Sequence, residues 1–401
     1  MRILVLLPFA LRADVAHGGG RANLQLVTGL ARAHEVGVLS LRSFEDAPTD
    51  RAVAESLAFA EEEVRPPVHD DWRYLSAIRL RNGLSMLRGR PRLVAQARLP
   101  RFERRVRLAI EHWHPDVVQI EFEQMAQYVL ALPDGPPRVL SVHDPGTAAA
   151  RERLQATSGP RRALRALDVL AWLSYERRAL AAVDAVVAFT ERDRRALGSR
   201  RRIELVPLAA ERPTGALDPA GAREDVLFVG SFPHLPNRDA ALRLVDGILP
   251  AVRRSRPAAT LTLVGERPPP GLARTGVRVT GAVPDVAPYL DAAAVVAVPI
   301  RLGGGMRVKV LEALAGGKAV VTSRLAAEGL DLEDGAEVLF AETDDEFARA
   351  IERLLGDRAL RVALAGRAGA WAARRVDPAA RIAAYERIYA RLLGDRPVTT
   401  N

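Results

Sequence analysis

The 401-residue chain has no cysteine, which excludes disulfides, thiolate metal sites and a cysteine nucleophile. Lysine is almost absent: of 58 basic residues only Lys309 and Lys318 are lysines. Aromatic residues make up 5%, too few for a stacking platform that would hold bases, so nucleic acid is not an expected partner. No apolar run approaches the roughly 20 residues of a membrane-spanning helix. The opening run, Met1 to Pro8, is too short for a signal peptide's apolar core and cleavage site, and Pro8 breaks it. A cytoplasmic location is expected. There is no G-x-x-x-x-G-K-[ST] and hence no P-loop. Gly18-Gly19-Gly20 does not make a dinucleotide fingerprint, because Asn23 stands where a third spaced glycine belongs. No Asp-x-Asp occurs, and no His, Asp and Glu have a metal-ligand spacing, so no metal is expected.

Apolar runs alternate with helical stretches throughout. Ile3–Leu7, Val36–Leu41, Val117–Ile120, Arg138–Val142, Ala185–Phe189 and Ile203–Val206 read as strands. Residues 209–224 have linker composition, with proline, glycine and threonine among small residues. The alternation restarts with strands at Val226–Val229, Thr260–Val264, Val277–Thr280, Ala294–Ile300, Ala319–Thr322 and Val338–Phe340. Helices over 344–355, 359–374 and 378–393 close the chain. Strand–helix–strand units at this spacing imply parallel sheets covered on both faces. The length suits two domains. The expected division is a domain at 1–208, a linker at 209–224 and a domain at 225–377. Ligands of such sheets bind outside the carboxyl ends of the strands. Gly18–Gly20, His143-Asp144, Gly230-Ser231, Gly265 and Gly303–Gly305 all follow strands and are expected to converge on a cleft.

The net charge of +9 is unevenly placed. Residues 65–107 carry 12 arginines against Asp70, Asp71 and Glu103. This segment reads either as a solvated arginine face or as a surface for an anionic partner, such as a membrane or a lipid-linked acceptor. Leu75, Ile78, Leu80, Leu84 and Leu87 do not form one clean stripe, so no dedicated membrane helix is evident from the pattern.

The most informative stretch is 299–322. An apolar strand runs into Gly303-Gly304-Gly305-Met306, and a helix carrying Arg307, Lys309 and Glu312 begins beyond it. A glycine-opened helix start offers free N–H groups and the positive dipole end to a phosphate. Lys309 and Glu312 are i, i+3 and share a face: one can meet a phosphate while the other accepts from hydroxyls. The same spacing also suits an internal Lys–Glu pair. His143 just past a strand can polarise a hydroxyl or donate to a sugar, or it can cap the next helix. Glu176 reads as a structural residue paired with Arg177 or Arg178, or as a group turned to the cleft.

Taken together, Leu227-Phe-Val-Gly-Ser-Phe-Pro-His-Leu-Pro-Asn237, Leu263-Val-Gly265, Val279-Thr-Gly-Ala-Val-Pro-Asp285 and Pro299 through Gly329 resemble the GT-B glycosyltransferases. The similarity is to the retaining GT4 type in particular, and it extends over essentially the whole chain. It implies two Rossmann-like domains facing each other across a cleft. The N-terminal one would bind the acceptor, the C-terminal one a nucleotide-sugar donor, and the final helix 378–394 would pack back on the N-terminal one. Arg307 and Lys309, with the amides of Gly304 and Gly305, would meet the diphosphate. Glu312 would accept from the ribose, and the backbone near Gly281 and Val283 would edge the base. His143 would sit by the transferred sugar. Gly19, Gly20, Gly230, Ser231, Gly303 and Met306 complete the expected donor site.

Many members carry two glutamates eight positions apart. Here Glu312 is the second and Gly304 holds the first position. The arginine usual after the first C-terminal strand is replaced by Ser231. The resemblance implies metal-independent transfer from a nucleoside-diphosphate sugar to a glycan, lipid-linked or small-molecule hydroxyl. An epimerase or hydrolase of the same fold, or a non-catalytic nucleotide-sugar-binding partner, are the alternatives. A peripheral position at the inner membrane face, through 65–107, is the accompanying expectation.

Overall fold

The computed structural model describes residues 1–13, 18–66, 72–130, 132–198, 202–206, 209–210, 218, 224–303 and 307–394. The chain divides into two compact units. One comprises Met1–Arg12, Asn23–Val206 and Ala379–Asn401, the other Ala13–Ala22 and Pro207–Pro378.

The first unit is built on seven parallel strands: β1 (Arg2–Leu7), β2 (Glu35–Ser43), β3 (Phe59–Arg65), β4 (Val117–Glu121), β5 (Arg138–Val142), β6 (Ala185–Ala188) and β7 (Ile203–Leu205). Their order is β3-β2-β1-β4-β5-β6-β7. Ile3 through Leu7 have no exposed surface, because helices cover both faces of a parallel sheet. Ile3 faces Val36 on one side and Val117 on the other, so the strand order reverses between β1 and β4. Ligands of doubly wound sheets bind at such a reversal, past the carboxyl ends of the strands. The core gathers Leu4, Leu6, Ile120, Leu140, Val142, Trp172 and Tyr175. The last helix, Pro378–Gly394, lies in this unit and buries Tyr385 and Tyr389 completely.

The strand β3 lies at the edge and carries three consecutive glutamates. Glu62 takes Arg42 Nε at 2.8 Å, while Arg105 bridges Glu61 and Glu63 at 2.6 and 2.8 Å. Charges of this kind blunt an exposed sheet edge.

The second unit holds six parallel strands: β8 (Asp225–Val229), β9 (Thr260–Val264), β10 (Val277–Gly281), β11 (Val295–Val298), β12 (Val320–Thr322) and β13 (Leu339–Phe340). The order β10-β9-β8-β11-β12-β13 reverses between β8 and β11. Gly230-Ser231 and Pro299–Gly303 therefore follow the two strands that flank the reversal. Helix Asp344–Gly356 starts on a capping box between Thr343 and Glu346. The other lysine, Lys318, is fully buried. Its Nζ donates to the carbonyls of Asp218 and Asp291 at 2.5 and 3.1 Å, so it ties the linker residue Asp218 to this unit.

Gly18–Gly20, which come after the first strand, are part of a helix rather than the stretch before it. They form the first turn of helix Gly18–Ala31. A Cβ on Gly18 would lie 2.7 Å from Val308 Cβ, so close packing against helix Val308–Ala315 requires glycine there. Residues 72–87, without a clean stripe in sequence, are one helix.

Candidate active site

In the second unit the segment after β11 leads to helix Val308–Ala315. Gly303 has φ +89°, and a Cβ on it would meet Pro236 Cγ at 2.7 Å; only glycine fits this turn. Gly304, Gly305 and Met306 lie outside the described residues. Arg307 stands at the N-cap position rather than inside the helix. It is 5% exposed, and its Nη2 donates to Glu328 Oε2 at 2.9 Å. In this structure Arg307 is thus engaged by a carboxylate.

Lys309 follows on the first turn. Burial pushes its amine down to about 8; Glu312 opposes that shift, and the Arg307 and Arg21 charges add to it. Glu312 is gripped by Arg21, whose Nε and Nη2 reach its two oxygens at 2.6 and 2.9 Å. Sequence reasoning did not single out Arg21 as a partner, because the two residues are 291 positions apart. The cluster of Arg21, Arg307, Lys309, Glu312 and Glu328 concentrates charge at one helix start.

Gly19 and Gly20 sit in the turn that carries Arg21. Gly230 N–H bonds Val264 O at 2.9 Å, and Ser231 Oγ donates to Glu266 Oε1 at 2.7 Å. Gly281 ends β10, and Val283 follows it, half-buried.

In the first unit His143 follows β5 and is buried. Its Nε2 lies 2.5 Å from Glu121 Oε2, at the end of β4 beside the strand reversal. The Phe122 ring stacks on the imidazole with centroids 3.8 Å apart and planes 13° apart. Phe122 holds φ 69°, a conformation that costs a bulky residue roughly 1–3 kcal/mol. Such strain is retained where a side chain must be aimed.

Beside this pair lie further acids. Glu123 Oε2 accepts from Gly146 N–H at 2.7 Å and Glu176 Oε2 from Thr147 N–H at 3.2 Å. The first amides of helix Gly146–Gln155 are therefore capped by carboxyl groups and not by His143. Burial, then the Glu176 charge, pushes Glu123 well above the carboxylate range. Burial, with Asp193 and Glu152 nearby, lifts Asp144 to about 7. The Glu176 carboxyl, expected beside Arg177 or Arg178 or at a cleft, meets the Thr147 amide instead. Sequence reasoning passed over Glu121 and Glu123. Their signal was the one used for His143, a polar residue just past an apolar strand.

Residues 16–209 match the family model described as Glycosyltransferase Family 4, and residues 223–357 match Glycosyl transferases group 1. The fold is shared with sucrose-phosphate synthase from Thermosynechococcus elongatus at 17% identity, a TM-score of 0.73 and coverage of 99% of this chain and 100% of that one. It is shared with WaaG, a glycosyltransferase involved in lipopolysaccharide biosynthesis, at 16% identity, a TM-score of 0.65 and coverage of 98% and 100%. Anabaena HepE, solved in complex with UDP-glucose, matches at 15% identity, a TM-score of 0.60 and coverage of 98% and 100%. No curated relative matches the sequence. The chain belongs to the glycosyltransferases of GT-B fold.

Proposed function

We propose that this glycosyltransferase is of the retaining GT4 type. It moves a sugar from a nucleoside-diphosphate donor to a hydroxyl acceptor without a metal ion. The observation that carries the reading is Lys309, one of two lysines in the chain. It lies on the first turn of a helix that follows the strand reversal. There its ammonium and the helix dipole neutralise charge as it develops on the leaving diphosphate. The C1–O bond to phosphate breaks with its electron pair going to the diphosphate. The acceptor oxygen bonds C1, and its proton passes to the leaving phosphate. Arg307, held on Glu328, adds positive field; Glu312 takes the ribose hydroxyls, and His143 the transferred sugar. The UDP and UDP-glucose bound by HepE support a nucleotide-sugar donor.

The acceptor we assign is a glycan, lipid-linked or small-molecule hydroxyl, with the lipid-linked class favoured by the surface of the first unit. Leu80, Leu84 and Leu87, spaced i, i+4 and i+7 on helix Trp72–Leu87, are 67%, 45% and 69% exposed. Arg90 is pushed below the usual guanidinium range by burial and then by the neighbouring charges of Arg98, Arg178 and Arg88, with Glu103 opposing. Leucines beside mutually repelling arginines suit an anionic bilayer, which rewards roughly 1 kcal/mol per basic residue. No helix among the described residues is long and apolar enough to cross a membrane, so this contact is peripheral.

A panel of nucleotide sugars tests the reading. Release of the nucleoside diphosphate is measured with and without acceptor extracts. One donor is expected to be cleaved, faster with acceptor present. Absence of release from every donor counts against the proposal.

A further inference from the structure

We infer that Tyr389 and Tyr385, on the last helix, are positioning residues for His143, acting through a buried relay of Gln119, Ser141 and Glu121. The inference rests on the assignment of His143 to the transferred sugar.

The direction is set at Tyr389. Tyr389 Oη donates to Gln119 Oε1 at 2.8 Å. That bond fixes which end of the amide points where, so Gln119 Nε2 is left to donate to Glu121 Oε1 at 2.7 Å and Ser141 Oγ at 2.9 Å. Ser141 Oγ meets Tyr385 Oη at 2.9 Å. Glu121 then has Oε1 occupied by the amide and offers Oε2 to His143 Nε2 at 2.5 Å. With Glu121 Oε2 as the acceptor, Nε2 is the donor of this bond.

The relay is dry. Gln119, Glu121, Ser141, Tyr385 and Tyr389 are all fully buried. Burial strengthens each bond and makes an unmade one costly. Arg381, on the same helix and 1% exposed, lies 5.8 Å from both the Phe189 and Tyr385 rings. Its charge and that of Glu121 act in opposite directions on the Tyr385 hydroxyl. Phe189 in turn lies 5.0 Å from the imidazole. The last helix therefore sets both the hydrogen-bond polarity and the field behind the histidine, while none of its residues touches it directly through these bonds.

Without the Tyr389 hydroxyl, Gln119 is free to turn over and present its carbonyl to Glu121, which repels the carboxylate and releases His143. The test is Tyr389→Phe, with Glu121→Gln alongside, on the full chain labelled with ¹⁵N-histidine. The His143 ring signals are assigned by their loss in His143→Gln. In the wild type they are expected to show the proton on Nε2. In both variants these signals shift while those of the other histidines stay, which reports an intact fold. Turnover falls roughly 10–100-fold with the donor KM unchanged, by analogy with partners that orient metal-bound histidines. If Tyr389→Phe leaves both the His143 signals and turnover as in the wild type, the positioning role is refuted. If the signals move but His143→Gln turns over normally, the relay stands and the histidine's assignment to the sugar falls.

Discussion

Replacing Lys309 by alanine removes the one ammonium on the first turn of helix Val308–Ala315. A charge-assisted contact is worth about 1.5–3 kcal/mol, and 1.4 kcal/mol is a factor of ten in affinity. Calorimetry with UDP is therefore expected to show a Kd weaker by roughly 10- to 100-fold in Lys309→Ala. The structure adds a second signature, because burial has brought the amine down to about 8. A lowered lysine is charged below that value and neutral above it. The charged fraction falls about tenfold between pH 7 and pH 9. Wild-type affinity should fall by a similar factor over that range, and the variant should show no such step. The fold is expected to stand, since Lys309 is half-buried and i, i+3 from Glu312, which Arg21 already holds. Equal Kd values for the two proteins, or the same pH step in both, would rule out a Lys309–phosphate contact.

Four further outcomes follow from particular residues. Arg21→Ala removes a like charge that depresses Lys309, so the midpoint of the pH-dependent UDP binding should move above 8; an unmoved midpoint contradicts the cluster. Asp144, lifted to about 7 by burial, is neutral in the fold at pH 5 and ionised in the unfolded chain. Its contribution is present at low pH and lost as pH rises through 7, about 2–3 kcal/mol between pH 5 and 8, and urea melts of Asp144→Asn should show a flatter pH profile than wild type. Transfer should survive EDTA, and complete loss restored by magnesium would overturn the metal-free reading. Cosedimentation with vesicles containing phosphatidylglycerol should be strong at low salt and weak at high salt, and weaker in Leu84→Asp; binding to neutral vesicles of equal strength would argue against the arginine face.

Much of the architecture was legible because parallel strands buried on both faces leave continuous apolar runs. Ile3–Leu7 and Thr260–Val264 stand out for that reason. Strand β3 did not, since an edge strand can carry Glu61, Glu62 and Glu63, and their partners Arg42 and Arg105 meet them only in the fold. Glycine disfavours helices, so a helix starting at Gly18 is not legible in the sequence; the close packing of Gly18 on Val308 accounts for it. In the site, His143 and Lys309 were visible by type and place. Glu121 carried the same mark as His143, a polar residue just past an apolar run, but only the fold shows that the two meet. The contributions of Arg21, Glu328 and Tyr389 depend on contacts across long sequence separations, which spacing does not encode. Arg307, which the resemblance sets at the diphosphate, is paired with Glu328 in this structure, a partner that spacing does not mark.

The proposed reaction is transfer from a nucleotide sugar with the anomeric configuration kept. The most direct measurement is NMR of the product formed from a donor ¹³C-labelled at C1, in the presence of EDTA. One new glycosidic C1 signal with the donor's anomeric configuration, and an equimolar amount of nucleoside diphosphate, are expected. A product of inverted configuration, or free sugar alone whatever acceptor is added, would contradict it.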